Sequence, residues 1–232
     1  GGLLVSDRPF VGPMSSSCCQ VQGLLQRLVS EGHCLGSQVV LIKNGRVLVN
    51  SVAGTQGLLD PRPVQLSTLF VGHSLCKLVL AVLAHSLVED GLLDYDTPLA
   101  KYWPSANSTT TSSTSSKKGS AATAATAGAG GVPAALSSSG GVTLRHVLSH
   151  TSGLQYLFPP SASPQSLCSP QAGEQALRAA SAHPVTPPGA RPSFHHFSFG
   201  WLLVPVLEAV SGKSVEQLVR DRVSGPLAIE RE

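Results

Sequence analysis

A chain of 232 residues, of which 42% are hydrophobic and 12% charged, can bury a core in one or two domains. Its 16 Lys and Arg and 13 Asp and Glu give a net charge of +3, spread along the sequence, which argues against a nucleic-acid partner. No apolar run approaches the roughly 20 residues that a membrane-spanning helix needs, so no membrane span is predicted.

The chain has five cysteines, at Cys18, Cys19, Cys34, Cys76 and Cys168. Their spacing includes no Cys-x-x-Cys pair and no pattern of a zinc site, so neither a metal nor another cofactor is predicted. Free thiols favour a reducing intracellular compartment. Because the chain opens on Gly1-Gly2 without a signal-peptide pattern, we interpret it as an excerpt from a longer polypeptide whose targeting segment is not visible.

The first predicted element is a helix behind an unstructured start. Residues 1–20 lack hydrophobic periodicity and are interpreted as a tail or linker, which leaves residues 21–232 as one partial domain. Apolar residues recur at helical spacing from Val21 to Val29. Gly32 is expected to end this amphipathic helix, because glycine readily adopts the left-handed conformation that follows a helix.

A β-hairpin is predicted next, with apolar strands at residues 39–42 and 47–49. Asn44-Gly45 lies between them, and both residues tolerate the positive φ angles of a type I′ turn. A long helix is then predicted from Leu75 to Glu89, ended by Gly91. Since its apolar residues lie on several faces, we expect it in the middle of the domain.

The composition changes abruptly at residue 105, and up to residue 141 the chain consists mostly of Ser, Thr, Ala and Gly. A segment with so few large apolar residues cannot offset the entropy lost on ordering. We therefore predict a disordered insertion at residues 105–141, in a surface loop whose two ends lie close together.

Four helices are predicted after the insertion. Thr143 and Ser214 are suited to cap the first and the last of them, because their hydroxyls can accept a hydrogen bond from the first turn. The four helices are expected from Thr143 to Leu148, at residues 174–182, at residues 199–210 with Gly212 as the terminator, and from Ser214 to about Val223.

Ser74 and Lys77 are the candidate reactive pair. One helical turn separates them, so the hydroxyl and the amine face the same side and the amine can take the hydroxyl proton. A lysine acts this way only when neutral, and burial together with the positive end of a helix dipole lowers a lysine pKa. A serine at the start of a buried helix fits both requirements.

Two other interpretations of Ser74 compete with this one. The spacing also occurs in Ser115-Ser116-Lys117-Lys118, inside the low-complexity segment, so Ser74 could be a plain N-cap residue. Alternatively, Gly72-His73-Ser74-Leu75-Cys76 is one residue short of the Gly-x-Ser-x-Gly nucleophile elbow of α/β-hydrolases. Against the elbow, Cys76 stands where the tight turn needs glycine, and only one helix and one hairpin precede it.

Four blocks of sequence cover most of the chain outside the low-complexity segment. They are Phe70–Lys77 with the helix ending at Leu87–Asp94, Val142–Leu154 with its His-Thr-Ser-Gly core, Pro188-Gly189 with Phe199-Gly200-Trp201 and Val210–Ser214, and Gly225-Pro226-Leu227. In these four blocks and in their order, the chain resembles the class C-type β-lactamases, penicillin-binding proteins and related esterases.

The resemblance implies an α+β fold of the β-lactamase/transpeptidase type, in which an antiparallel sheet packs with helices. It also implies that Ser74 is the acylated nucleophile and Lys77 its proton acceptor, with an oxyanion hole built partly from the Ser74 backbone amide. His150, within the His-Thr-Ser-Gly block, is interpreted as structural. Asp94 and Asp96 are interpreted as turn formers.

The chain departs from the family pattern in two ways. The second motif centres on a tyrosine, and alignment through Phe199-Gly200-Trp201 places Phe194 there, followed by His195. His195 or His196 could take over the proton work, although packing is the commoner role of such histidines. The third motif is expected beyond Glu232, so the domain is expected to be incomplete at its C-terminus and inactive by itself.

The leading hypothesis is a serine hydrolase that acts on a small-molecule ester, amide or lactam through an acyl-serine intermediate. The alternative, motivated by Phe194, is a non-catalytic β-lactamase-like domain that binds a ligand in the same pocket. The segments around Asp60-Pro61-Arg62-Pro63 and His195 also resemble family members that are fused behind an atypical kinase-like domain, so fusion within a larger polypeptide is expected.

Overall fold

The computed structural model describes residues 16–104, 131–137, 141–157, 163, 167, 170–179 and 184–229. The chain divides into two compact units, one ending at Val71 and the other beginning at Gly72. Among the described residues, no helix is both long enough and apolar enough to cross a membrane.

The first unit contains one helix and one hairpin: α1 (Ser16–Ser30), β1 (Gly36–Lys43) and β2 (Arg46–Gly54). The strands pair antiparallel through a two-residue loop, in which Asn44 has φ 52° and Gly45 φ 71°. The predicted hairpin and its turn are therefore confirmed. Helix α1 begins five residues before the end of the predicted tail.

Helix α1 packs on β2 to form the core of this unit. Leu25 of α1 and Val49 of β2 are buried, together with Val64 from the segment that follows the hairpin. The side-chain amide of Gln22 also donates a hydrogen bond of 3.0 Å to the Val52 carbonyl oxygen. Sheet and helix thus combine in the α+β manner expected from the sequence.

The second unit is mainly helical. Its helices are α2 (Cys76–Glu89), α3 (Ala134–Ser137), α4 (Leu144–Leu148), α5 (Pro170–Ala179), α6 (Ser198–Ser211), α7 (Val215–Val219) and α8 (Gly225–Leu227). Helices α2 and α6 pack together at its centre, where Leu83 and Leu87 of α2 and Leu202, Leu203 and Val206 of α6 are buried. The predicted central position of α2 is confirmed.

Both predicted caps are present. The Thr143 hydroxyl accepts from the His146 backbone N–H, and the Ser214 hydroxyl accepts from that of Gln217. Each partner side chain accepts a hydrogen bond from the backbone N–H of the cap residue, which completes a capping box. Gly212 ends α6 with φ 67°, as predicted.

Two helix boundaries differ from the prediction. Helix α5, Pro170–Ala179, begins four residues before the predicted start at residue 174, because proline fits the first turn of a helix, where its missing N–H is not needed. Residues 180–182 of the predicted helix lie outside the described residues. Helix α7 ends at Val219, and the chain continues to Ser224 as a single π-helical turn, Arg220–Ser224.

The turn after α2 is built by carboxylates. Asp94 accepts hydrogen bonds from the backbone N–H groups of Asp96 and Thr97, at 2.9 and 2.8 Å, which confirms its turn-forming role. Asp96 instead forms a two-point ion pair with Arg145, a partner that the sequence interpretation missed. These contacts link the turn to α4.

The predicted disorder of residues 105–141 is wrong for the last part of that segment. Helix α3 lies within it, and its Leu136 is fully buried in the core of the second unit, with 0% of its surface exposed. Where the segment rejoins the domain, the Leu99 N–H donates to the Val142 carbonyl oxygen at 2.8 Å, so the flanking residues are adjacent. Residues 105–130 and 138–140 lie outside the described residues.

The burial of Leu136 gives the first prediction. Replacing Leu136 by alanine should lower the free energy of unfolding by about 2–5 kcal/mol, because it removes apolar contacts and leaves a cavity. The matched control is Leu227→Ala, whose side chain is 61% exposed and should change stability little. Urea unfolding of the three proteins measures the effect. Equal midpoints for both variants would show that α3 does not pack in the core.

Candidate active site

Ser74 lies in a short 3₁₀ turn, His73–Leu75, directly before α2. His73 has φ 42°, a left-handed value that is uncommon for a residue other than glycine and costs of order 1 kcal/mol. The residue that caps α2 is Leu75, and no side chain caps the helix. The interpretation of Ser74 as a plain N-cap residue is therefore wrong, and its exposed hydroxyl is available for other contacts.

The nucleophile-elbow interpretation is also wrong. That motif requires a strand before the serine within a parallel sheet. Leu69-Phe70-Val71 forms no strand, and the sheet of the described residues is an antiparallel pair in the first unit. Ser74 follows a turn and belongs to the helical unit.

Lys77 contacts the Ser74 side chain directly. Its ammonium Nζ lies 3.3 Å from the Ser74 Oγ, the geometry expected when two side chains are one helical turn apart. The same Nζ donates a hydrogen bond of 2.9 Å to the backbone carbonyl oxygen of His196. The predicted pair is thus brought together, and a third group from much later in the chain joins it.

Phe194 lies against the lysine. Its ring centroid is 5.1 Å from the Lys77 Nζ, which is within the range of a cation–π contact, and 48% of its surface is exposed. The His196 ring meets it edge-on, with 4.9 Å between the centroids. The position that the alignment assigns to a tyrosine therefore presents an aromatic face to the lysine but no hydroxyl.

His195 points its ring nitrogens at other partners. The Nδ1 lies 2.7 Å from the Ser193 carbonyl oxygen, and a carbonyl only accepts, so Nδ1 carries the proton. The Nε2 of the neutral ring then accepts from the Ser152 hydroxyl at 2.5 Å, while the Ser152 oxygen accepts from the Leu154 N–H. Burial lowers the pKa of His195. Its ring is fully buried, which agrees with a packing role.

His150 holds the segment that carries Phe194 and His195. Its Nδ1 accepts a hydrogen bond of 3.1 Å from the His195 N–H, and its carbonyl oxygen accepts one of 2.8 Å from the Ser193 N–H. Its ring stacks on Phe194 with 5.0 Å between centroids. Burial, and then the charge of Lys77, lowers the pKa of His150. The predicted structural role of His150 is confirmed. The residues that it holds in place are 193–195.

Thr151 and Gly153 of the His-Thr-Ser-Gly block also bind the segment before α6 through backbone hydrogen bonds. The Thr151 carbonyl oxygen accepts from the Gly189 N–H at 2.8 Å, and that of Gly153 accepts from the Val185 N–H at 2.9 Å. Gly153 has φ 75°, and a Cβ there would meet the Thr186 carbonyl oxygen at 2.1 Å. Only glycine fits this close approach of two backbones.

No metal centre is visible in the ranges that the structure describes, where no three His, Cys, Asp or Glu residues are grouped as ligands. Cys76, which lies between Ser74 and Lys77 in the sequence, is exposed and free. The groups that meet at Lys77 are the Ser74 hydroxyl and the His196 backbone carbonyl.

Comparison with known proteins agrees with this geometry. A model of the beta-lactamase family matches residues 21–231. The chain is 29% identical over 157 residues to the esterase/beta-lactamase LipL of Mycobacterium tuberculosis, which covers 66% of this chain and 28% of that protein.

Two solved structures share the fold. A penicillin-binding protein homologue from Caulobacter crescentus matches with a TM-score of 0.67 and 23% identity over 94% of this chain and 50% of its own. EstCE1, described as a hydrolase with promiscuous acyltransferase activity, matches with a TM-score of 0.64 and 25% identity over 90% of this chain and 51% of its own. The chain thus spans about half the length of these proteins, with a β-lactamase-like fold.

The histidine contacts predict a pH dependence of stability. His150 and His195 both accept a hydrogen bond through a ring nitrogen, and the pKa of each is lowered from the ordinary value of 6.5, mainly by burial. The unfolded chain therefore takes up protons first as the pH falls. Stability should be constant above about pH 6.5 and should decrease between about pH 6.5 and 5, before carboxylates with lowered pKa begin to titrate.

Urea midpoints between about pH 8 and 5 measure this decrease. The variant His150→Asn, which has no group that titrates in this window, should flatten the decrease. The control is His33→Asn, which changes an exposed histidine of the first unit and should leave the slope unaltered. If the decrease in stability at low pH disappears in His33→Asn but remains in His150→Asn, His150 is not one of the groups that cause it.

Proposed function

The chain belongs to the β-lactamase family, and on this premise we propose that it acts as a serine hydrolase in which Ser74 is acylated by an ester, amide or lactam. The observation that carries the proposal is the contact of 3.3 Å between the Lys77 Nζ and the Ser74 Oγ. A serine hydroxyl is a weak nucleophile unless a neighbouring base takes its proton, and Lys77 is placed to do so.

In the proposed reaction, the Ser74 Oγ attacks the substrate carbonyl carbon while its proton passes to the Lys77 amine. The tetrahedral intermediate collapses when the bond to the leaving group breaks, and the Lys77 ammonium returns the proton to that group. Water then attacks the acyl carbon and gives a proton to the Lys77 amine. The bond to the Ser74 Oγ breaks, Lys77 returns that proton to the Oγ, and the acid is released. The Ser74 backbone N–H is the proposed oxyanion donor, as in the family.

The second partner of Lys77 supports this cycle. The His196 carbonyl oxygen, 2.9 Å from Nζ, can only accept a hydrogen bond. It therefore stabilises the ammonium that forms when the hydroxyl proton is transferred. It also fixes the direction of the lysine side chain, so that the amine remains near the Ser74 Oγ between the two steps.

The names of two relatives support a proposal for the substrate class. One is named an esterase/beta-lactamase and another a hydrolase with promiscuous acyltransferase activity. Both descriptions involve acyl groups, which favours a small acyl compound as the substrate of this site.

Phe194 favours a second candidate function, a binding domain that uses the same site without catalysis. The ring beside Lys77 offers a face for a ligand but no hydroxyl for proton transfer. Phenylalanine fills nearly the volume of tyrosine, so this change would keep the site's shape while weakening its acid–base chemistry.

Covalent labelling distinguishes the two functions. In the full-length protein we expect a fluorophosphonate probe to label Ser74, and Ser74→Ala to abolish the label, with Ser30→Ala as the exposed control. Lys77→Met should slow labelling by about 10²–10⁴-fold, the usual effect of removing a general base, whereas Lys101→Met, at another exposed lysine, should not. Mass spectrometry of the labelled peptide identifies the site. Labelling elsewhere, or unchanged labelling of Lys77→Met, would contradict the mechanism.

The variant Phe194→Tyr tests the missing hydroxyl. It should speed the labelling of Ser74 by about tenfold or more, because it restores a proton-transfer partner beside Lys77. Phe197→Tyr is the control, since it adds the same hydroxyl to a ring that stacks on Trp201. If neither the natural chain nor Phe194→Tyr is labelled, the binding-domain function replaces the hydrolase function.

A further inference from the structure

We propose that His150 is a positioning residue. Its imidazole determines the position of the His196 carbonyl oxygen, which accepts a hydrogen bond from the Lys77 Nζ. The inference rests on the proposed function, since its effect on rate presupposes that Ser74 reacts. His150 touches neither the Ser74 Oγ nor the Lys77 Nζ through any hydrogen bond of the structure, so its action is through the loop between α5 and α6.

The contacts of His150 fix three consecutive residues of that loop. Its carbonyl oxygen accepts from the Ser193 N–H, its ring stacks on Phe194, and its Nδ1 accepts from the His195 N–H. The next residue in the chain is His196, whose carbonyl oxygen lies 2.9 Å from the Lys77 Nζ. A shift at His195 is therefore passed through one peptide bond to the group that orients the lysine.

His150 itself is held firmly at the end of α4. Its N–H donates to the Val147 carbonyl oxygen at 3.0 Å, and the next residue, Thr151, donates to that of His146 at 2.7 Å. The backbone at His150 has φ 59°, a conformation that histidine and asparagine adopt more readily than other side chains. The backbone hydrogen bonds at the end of α4 thus fix the position of the His150 ring, and the ring in turn contacts residues of the loop before α6.

The hydrogen bond from His195 requires an unprotonated Nδ1. Protonation would set one N–H against another and would place a second positive charge near Lys77. The groups that face the ring are Lys77 from α2 and the rings of Phe194, His195 and Phe199, with His196 beyond Phe194. None of these is a carboxylate that would favour the charged form. Acidification should therefore release the loop and displace the His196 carbonyl.

The test compares His150→Asn with His150→Leu in the intact protein. The two side chains have nearly the same size, but only asparagine offers an oxygen near the former Nδ1. At about pH 7.5 we expect His150→Leu to slow fluorophosphonate labelling of Ser74 by about tenfold or more, because small displacements at a reacting centre cost rate steeply. His150→Asn should remain within about threefold of the natural chain, and its rate should fall less steeply below about pH 6.5, because its amide does not titrate.

Amide hydrogen exchange at His195 supplies a readout that does not depend on catalysis. Exchange should be slow in the natural chain and in His150→Asn, and faster by about tenfold or more in His150→Leu, which cannot accept the His195 N–H. If His150→Leu does not fold, the pH profile and exchange of His150→Asn still decide the matter. A fall in rate below about pH 6.5 that is as steep in His150→Asn as in the natural chain, or equal rates and exchange for the two variants, would overturn the proposal.

The two proposals fail separately. If the natural chain is not labelled at all but exchange at His195 follows the predicted order, His150 positions the loop of a binding site and the hydrolase function is wrong. If the chain is labelled at Ser74 and neither variant alters the rate or the exchange, the hydrolase function stands and the positioning role is wrong.

Discussion

The candidate site depends on a single amine that is shared between two parts of the chain. The Lys77 Nζ contacts the Ser74 Oγ, three residues away, and the His196 carbonyl oxygen, 119 residues away. The first contact needs only a helix, because residues one turn apart share a face. The second contact requires a fixed position of His196, in the loop before α6, relative to Lys77 of α2. Most of the second unit can be understood as the framework that maintains this second contact.

That framework has two parts with different physical origins. Helices α2 and α6 pack through buried leucine and valine side chains, a contact that is strong but not directional. The His-Thr-Ser-Gly segment adds direction, because it fixes the opposing loop through backbone hydrogen bonds from Val185, Gly189 and Ser193. Burial brings the two helices together, and hydrogen bonds determine where the loop lies between them.

The features that the sequence predicted are those whose causes are local. The Asn44-Gly45 turn, the caps at Thr143 and Ser214, and the Ser74–Lys77 spacing each depend on a few adjacent residues, so their patterns could be recognised directly. The β-lactamase-like fold was also predicted, because four motifs occur in the family's order. The ring contacts of His150 and His195 join residues 45 positions apart, and no local pattern indicates them. The burial of Leu136 was missed for a similar reason, since one leucine in a Ser- and Ala-rich segment becomes a core residue only through distant neighbours.

The backbone contact between Leu99 and Val142 bears on what a proteolytic cut between these two residues would do. Their backbone hydrogen bond, with α3 buried beside it, ties together the two sides of the segment that separates them. A proteolytic cut between residues 105 and 130 would break the covalent chain without breaking those contacts. The two fragments would then associate through a shared core, in the way that split proteins reassemble. The hydrogen bond between Leu99 and Val142 and the burial of α3 would then hold the two fragments together in place of the peptide chain.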